Sequence, residues 1–229
     1  MKPLTDKEAR LYRAMERAAL ALNPKRGTTD SAKAMYEAFG LPSASLEAGL
    51  LGISRMCKLP SALALSYSVI PAVARHIFQE KAAGVHRILN IEDARTILTP
   101  LYIGTHYECG YLLCMDAGGK LLRLQPLRMG TVDEAPLYTR ITIEYAIESG
   151  GRYFILAHNH PAGTKEPSNA DISSTQLVLD AMHRLDMVLI DHVIMAEGQA
   201  VSMRGYDRRS AQMWDRYAPL PQKYQNWPD

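Results

Sequence analysis

Cysteine is scarce in this chain, with three residues, Cys57, Cys109 and Cys114, and no Cys-x-x-Cys pair among them. An odd, unpatterned set argues against a disulfide framework and fits a reducing cytoplasm. Long apolar runs are missing as well. No stretch approaches the roughly 18 apolar residues that read as a membrane span, and no secretory leader is visible, so no membrane partner is expected. There is no internal repeat and no low-complexity tract. No His-Glu-x-x-His string occurs, which sets aside the zinc proteases built on that helix. The zinc deaminases need a glutamate two residues after a histidine, followed by Pro-Cys-x-x-Cys. Here the position two residues after His158 is His160 and no cysteine pair follows, so deamination is excluded.

What is present describes a globular chain. At 229 residues, 47% hydrophobic and 22% charged, it has material for one to two domains with a core. The net charge of +2 is unevenly placed. Residues 1–90 hold 13 Lys and Arg against 7 Asp and Glu, and residues 91–229 hold 13 against 17. A basic first segment permits contact with nucleic acid, although such a balance also suits a solvated helical surface.

Hydrophobic spacing predicts helices through the first 85 residues. Thr5-Asp6-Lys7-Glu8 reads as a capping box ahead of Leu11, Met15, Ala18 and Leu22, and 23–27 reads as a stop. Further helices are predicted at 30–39, 46–51, 61–66 and 72–79, with Pro60 and Pro71 as punctuation. From Asn90, a candidate N-cap, a helix to about residue 98 opens a second domain, with Pro100 as its stop. Strands are predicted at 107–115 and 121–129 around a Gly118-Gly119 turn, with Pro126 marking an edge or a bulge. A helix over 138–149, a buried strand at 153–157, a helix over 168–185 and strands at 187–195 and 200–203 follow. Residues 205–229 read as a loosely packed tail or docking segment.

The chemistry concentrates in 14 residues, His158-Asn159-His160-Pro161-Ala162-Gly163-Thr164-Lys165-Glu166-Pro167-Ser168-Asn169-Ala170-Asp171. On an extended segment, period-2 alternation turns His158 and His160 to one side. Asp171, opening a helix eleven residues after His160, can return to close a triangle. Two imidazole nitrogens and one carboxylate suit a catalytic zinc with a fourth position left for water. The same residues also admit a plainer reading, in which Ser168 is an N-cap, Asp171 completes its cap and the histidines lie in a loop.

His-x-His, seven residues, Ser168, two residues and Asp171 have the spacing of the JAMM (MPN-domain) metalloprotease signature, and the chain resembles its RadC branch. His-Asn-His-Pro-Ala-Gly, Pro167-Ser168, Gly130-Thr131 and Leu189-Ile190-Asp191-His192 carry that resemblance. It implies an MPN/JAB sheet of the cytidine-deaminase-like α/β class over 91–204, after a small helical domain at 1–85 and ahead of the 205–229 tail. It also implies Zn2+ held by His158, His160 and Asp171, with Ser168 steadying an oxyanion while a protein or peptide substrate is cleaved. The glutamate base the resemblance implies falls on Gln125, five residues before Gly130, where an amide cannot take a proton. Glu134 is the nearest replacement carboxylate. Gln125 therefore favours a second reading, a catalytically impaired module acting as a binding or DNA-repair-associated scaffold. RadC-like proteins often carry a helix-hairpin-helix DNA-binding element near the N-terminus. Cys57-Lys58-Leu59-Pro60 stands where its Gly-x-Gly would be, so DNA contact is only weakly supported. Asp191-His192 reads as a hydrogen-bonded structural pair, and Glu108 as a solvated residue ahead of an apolar strand.

Overall fold

A computed structural model of the chain describes residues 9–10, 12–17, 29–39, 48–59, 61–105, 107–127, 135–217 and 219–228. The capping box at 5–8, the stop at 23–27, Gly130-Thr131 and Glu134 lie outside the described residues. The chain divides into two compact units, 1–77 with 103–106, and 78–102 with 107–229. No helix among the described residues is long and apolar enough to cross a membrane.

The first unit is helical. Helical residues at 9–10 and 12–17, α1 (Thr29–Phe39), α2 (Gly49–Cys57) and α3 (Ser61–Ala82) bury Met15, Met35, Ile53, Cys57, Leu63, Ala64 and Tyr67 together. The buried Tyr67 hydroxyl donates to the Met15 carbonyl at 2.7 Å. Two short helices were predicted on either side of Pro71, yet α3 runs straight through it. A proline removes one i→i−4 hydrogen bond and strains its turn, but it ends a helix only where the flanking turns lack support. Lys58 caps α2 in the left-handed region, at φ 51°.

The second unit is a mixed sheet between helical layers. Its strands are β1 (Gly110–Met115), β2 (Leu121–Leu127), β3 (Tyr153–Asn159), β4 (Val188–Ala196) and β5 (Gln199–Ser202), in the order β2-β1-β3-β4-β5. β3 and β4 are parallel and the other neighbours antiparallel. β2 is an edge strand, which is where a proline such as Pro126 is tolerated. The turn from β1 to β2 requires Gly119, at φ 81°, because a Cβ there would lie 2.9 Å from Leu89 and 3.0 Å from the Tyr224 hydroxyl. α4 (Ile91–Tyr102) begins as predicted, with the Asp93 N–H donating to Asn90 Oδ1 at 2.8 Å. Pro100 does not stop it. Its ring is buried in the core, and the last turn forgoes a single bond.

α5 (Ala135–Ser149) and α6 (Asn169–Arg184) cover one face of the sheet, where Leu112, Cys114, Phe154, Leu156 and Ile194 meet Val178, Leu179 and Met182. On the other face Leu113, Ile155, Ala157, Ile190 and Val193 meet Ala94, Ile97 and Leu98 of α4. The C-terminal segment is packed rather than loose. It forms α7 (Met203–Tyr206), α8 (Arg208–Ala211) and a 3-10 turn at Gln222–Tyr224. Trp214 joins the α5/α6 face, while Tyr224 and Trp227 join the α4 face. Three large aromatic rings bury too much surface for a tail containing them to stay in water.

One irregularity decides where β4 points its side chains. Phe154 pairs with Leu189 but Ile155 pairs with Asp191, so Ile190 is an extra residue in the ladder. A bulge rephases the alternation beyond it. Ile190 and Asp191 thereby share the α4 face, and His192 turns to the α6 face in register with Leu156.

Asp191 is fully buried and receives the Trp227 indole N–H at 2.7 Å and the backbone N–H groups of Arg204 at 2.9 Å and His192 at 2.7 Å. Burial pushes its carboxyl up to about 6, against the opposing pull of Ser202, Trp227 and the two backbone donors. The folded value exceeds the unfolded one, 3.8, so the folded state retains a proton that the unfolded chain has released between pH 4 and 6. This group's contribution is complete below about pH 4 and is lost as pH rises through about 6. Relative to Asp191→Asn, which does not titrate, wild-type protein is expected to lose on the order of 3 kcal/mol of unfolding free energy across that window. Urea unfolding of both proteins at pH 4.5 and 7 checks this, and parallel pH profiles for the two would overturn it.

Candidate metal centre

β3 is buried along almost its whole length and delivers His158, itself fully buried, at its C-terminal end. The strand's ladder continues one residue further, with the His160 N–H donating to Met195 O at 3.0 Å. The chain then turns sharply, and the Gly163 N–H returns to His160 O at 3.0 Å. Gly163 is required at φ 83°, where a Cβ would also press on Glu197 at 3.2 Å. Alternation along this extension turns both imidazoles to one side, as the spacing predicts.

Ser168 and Asp171 form a complete capping box at the start of α6. The Asp171 N–H donates to Ser168 Oγ at 3.1 Å, and the Ser168 N–H donates to Asp171 Oδ2 at 2.7 Å. The cap fixes the carboxylate and aims it at the histidines. Asp171 Oδ1 lies 3.2 Å from His158 Nε2, and Oδ2 lies 3.5 Å from His160 Nε2. The two Nε2 atoms are 2.9 Å apart. Among the described residues, these three side chains form a group of metal-binding size, with ligand atoms all within 4.8 Å of one another.

The donor chemistry fits a cation. His160 Nδ1 lies 2.8 Å from the Thr164 carbonyl and can only donate to it, so Nε2 of neutral His160 presents a lone pair inward. A lone pair facing another ring nitrogen and a carboxylate is stable only with a positive charge among them. The same field raises the proton affinity of His160, through its bond to Asp171 first, then the Thr164 carbonyl and the nearby charges of Asp171 and Glu108, against the cost of burial. Burial alone would raise the Asp171 carboxyl, yet His158, His160 and Ser168 hold it far below the usual carboxylate range. Two imidazole nitrogens and a carboxylate are a donor set of the kind that holds a divalent cation such as zinc.

Two residues behind the site were not legible as parts of it. His192 Nε2 lies 2.8 Å from His158 Nδ1, and His192 Nδ1 lies 2.6 Å from Thr175 Oγ1. Burial first, and then the proximity of His158, holds the His192 imidazole well below its ordinary value, so it is neutral. The expected Asp191-His192 pairing exists, but only as a side chain to backbone bond within the bulge.

Glu108 was expected in solvent, and it is exposed, but it is also held beside the site. Glu108 lies two residues before Gly110, the partner of His158 in the ladder, and its charge reaches His160. Asn159, between the histidines, brackets the segment. Its carbonyl accepts the Cys109 N–H at 2.8 Å, and its amide donates to Tyr107 O at 3.1 Å. Asn159 is buried, so this clamp is sheltered from water. Gln125 stands elsewhere, paired with Leu112, and its amide donates to Pro126 O at 3.2 Å. It is Leu127, two residues on, that shares a row with Gly110 and His158.

Comparison with known proteins follows this geometry. Residues 88–209 match the family described as RadC-like JAB domain. A UPF0758 protein of Marinomonas sp. (strain MWYL1) is 35% identical over 136 residues, 59% of this chain and 60% of the relative. A UPF0758 protein of Aliivibrio salmonicida (strain LFI1238) is 33% identical over 135 residues, again 59% and 60%. One from Shewanella sp. (strain W3-18-1) is 28% identical over 152 residues, 65% of this chain and 68% of the relative. The aligned region thus spans about three fifths of the first two of these relatives.

Proposed function

The chain belongs to the RadC-like JAB domain family, and from that premise we propose that it is a zinc-dependent hydrolase of amide or isopeptide bonds in a protein or peptide substrate. The observation that carries this reading is the convergence of His158 Nε2, His160 Nε2 and the Asp171 carboxylate, with the charge of the exposed Glu108 reaching His160. His158, His160 and Asp171 would hold the zinc. When bound there it supplies Lewis-acid chemistry, polarising a carbonyl and acidifying water.

The chain's own residues divide the remaining work. Glu108 takes the place that the sequence reading gave to Gln125 or Glu134. Its carboxylate accepts a proton from the attacking water and passes it to the departing nitrogen, which a glutamine amide cannot do. Asn159 fixes the backbone on either side of Glu108, so that the carboxylate does not have to be ordered during the reaction. Ser168 Oγ accepts the Asp171 N–H, and its exposed hydroxyl carries a proton that the Asp171 carboxylate also draws. That proton can steady a developing oxyanion, a contribution typically of about 10²–10³ in rate for one donor.

Protein prepared with zinc present is expected to retain about one zinc per chain. It should cleave internally quenched peptides or a lysine-linked isopeptide, stop on addition of a chelator and resume on addition of zinc. A preparation that retains no zinc by elemental analysis, or whose cleavage is indifferent to the chelator, would sink the proposal.

A further inference from the structure

We propose that Thr175 and His192 are positioning residues that fix the ring nitrogen His158 offers to a metal, through a chain of three directed hydrogen bonds that starts on the Asp171 carbonyl and ends on His158. This rests on the metal-site reading above, but concerns residues that are not themselves ligands. The observation is three short contacts in sequence. Thr175 Oγ1 lies 2.6 Å from the Asp171 carbonyl, Thr175 Oγ1 lies 2.6 Å from His192 Nδ1, and His192 Nε2 lies 2.8 Å from His158 Nδ1. Thr175 and His158 are fully buried and His192 is 1% exposed, so water is not available to repair a wrong arrangement.

Counting protons settles the polarity. A carbonyl oxygen cannot donate, so the Asp171–Thr175 contact carries a proton only if the Thr175 hydroxyl supplies it. Its single proton being spent, Thr175 Oγ1 must accept from His192 Nδ1–H. Neutral His192 then has a bare Nε2, which must accept from His158 Nδ1–H. His158 is left with its lone pair on Nε2, the atom 3.2 Å from Asp171 Oδ1 and 2.9 Å from His160 Nε2. The reverse polarity would place the Thr175 proton on His192 and a proton on His158 Nε2. It would leave two oxygens 2.6 Å apart with nothing between them, and it would block the metal.

Asp171 stands beside both ends of this chain. Its backbone carbonyl anchors the first bond, and its carboxylate shares the site with His158 Nε2. A helix turn of α6 thus dictates the tautomer of a residue on β3 by way of β4, and the bulge at Ile190 gives β4 the phase that brings His192 there. A histidine serving as acceptor for a ligand's ring N–H has no orientation of its own until its second nitrogen is engaged, which is the role left to Thr175. Outer partners of this kind typically change metal affinity by about 10–100-fold when removed.

The test combines ring-nitrogen NMR of 15N-histidine protein with zinc titration against a chromophoric chelator. In metal-free wild-type protein the proton of both His158 and His192 is expected on Nδ1. Thr175→Val keeps the volume and deletes the hydroxyl. It should mix or invert the His158 tautomers and weaken zinc binding by about 10–100-fold. Thr175→Ser, which restores the hydroxyl, should return both readouts towards wild type, a recovery that a purely packing role for Thr175 would not produce. His192→Phe should reproduce the Thr175→Val spectrum at His158 if its fold survives, and Thr175→Val stands alone if it does not. His158 protonated on Nε2 in the metal-free wild type, or Thr175→Val with unchanged tautomers and affinity, overturns the inference. The expected tautomers together with no zinc binding by wild type would leave the chain of bonds standing and strike the metal reading instead.

Discussion

Glu108→Gln is expected to lower peptide or isopeptide cleavage by about 10²–10⁴ while zinc content stays unchanged. The substitution keeps the shape and hydrogen-bonding reach of the side chain and removes only its capacity to hold a proton. Glu108 is not among the converging ligand atoms, so nothing in the metal set is touched. Its charge does act on His160, supporting that ring's raised proton affinity, which places the carboxylate within electrostatic reach of the cluster. Activity therefore falls and metal binding does not, a split that unfolding or loss of a ligand cannot imitate. Gln125→Glu is the companion variant. Gln125 lies two rows away from His158 with its amide turned to Pro126, so an added carboxylate there is expected to change turnover less than about threefold, well short of a general base's effect. A tenfold or larger gain in Gln125→Glu, with Glu108→Gln fully active, would return the base to β2.

The difference between Glu108 and Gln125 shows where a single sequence stops informing. The ligand triangle is legible because it is local. Two histidines share a strand face by period-2 alternation, and Asp171 follows within the same 14 residues, oriented by a cap whose Ser and Asp are themselves a sequence signal. The Glu108 position depends on which strand lies beside β3 and in what register. Fifty residues separate Cys109 from Asn159, and no periodicity links them. His192 was harder still. Strict alternation from Leu189 puts His192 on the opposite face, and only the extra residue at Ile190 reverses that. The prolines misled for a related reason. Pro71 and Pro100 have the local effect expected of them, one lost bond each, but burial and neighbouring turns outweigh it. The C-terminal segment, rich in proline and short of periodic spacing, gives no local sign that Trp227 ends on a buried carboxylate 36 residues away.

Asp171→Asn is expected to abolish tight zinc binding while leaving the metal-free protein folded, and this outcome separates ligation from capping. Asp171 has both roles, since it completes the Ser168 cap and faces the two imidazoles. An asparagine Oδ1 still accepts the Ser168 N–H, so the helix start is preserved to within about 1 kcal/mol. What disappears is the negative charge and one of the three ligands, the least that hold a catalytic zinc firmly. Wild-type protein should gain about 4 kcal/mol of unfolding free energy in zinc at roughly a thousand times its dissociation constant, because zinc binds the folded state. Asp171→Asn should gain almost none, and its cleavage activity should vanish with the metal. If Asp171 serves only as a cap, the variant would bind zinc and be stabilised by it as wild type is. Thermal melts of both proteins with chelator and with zinc, alongside elemental analysis, distinguish the two. The metal-free melt is the internal control, since a shared baseline there confines the difference to the site.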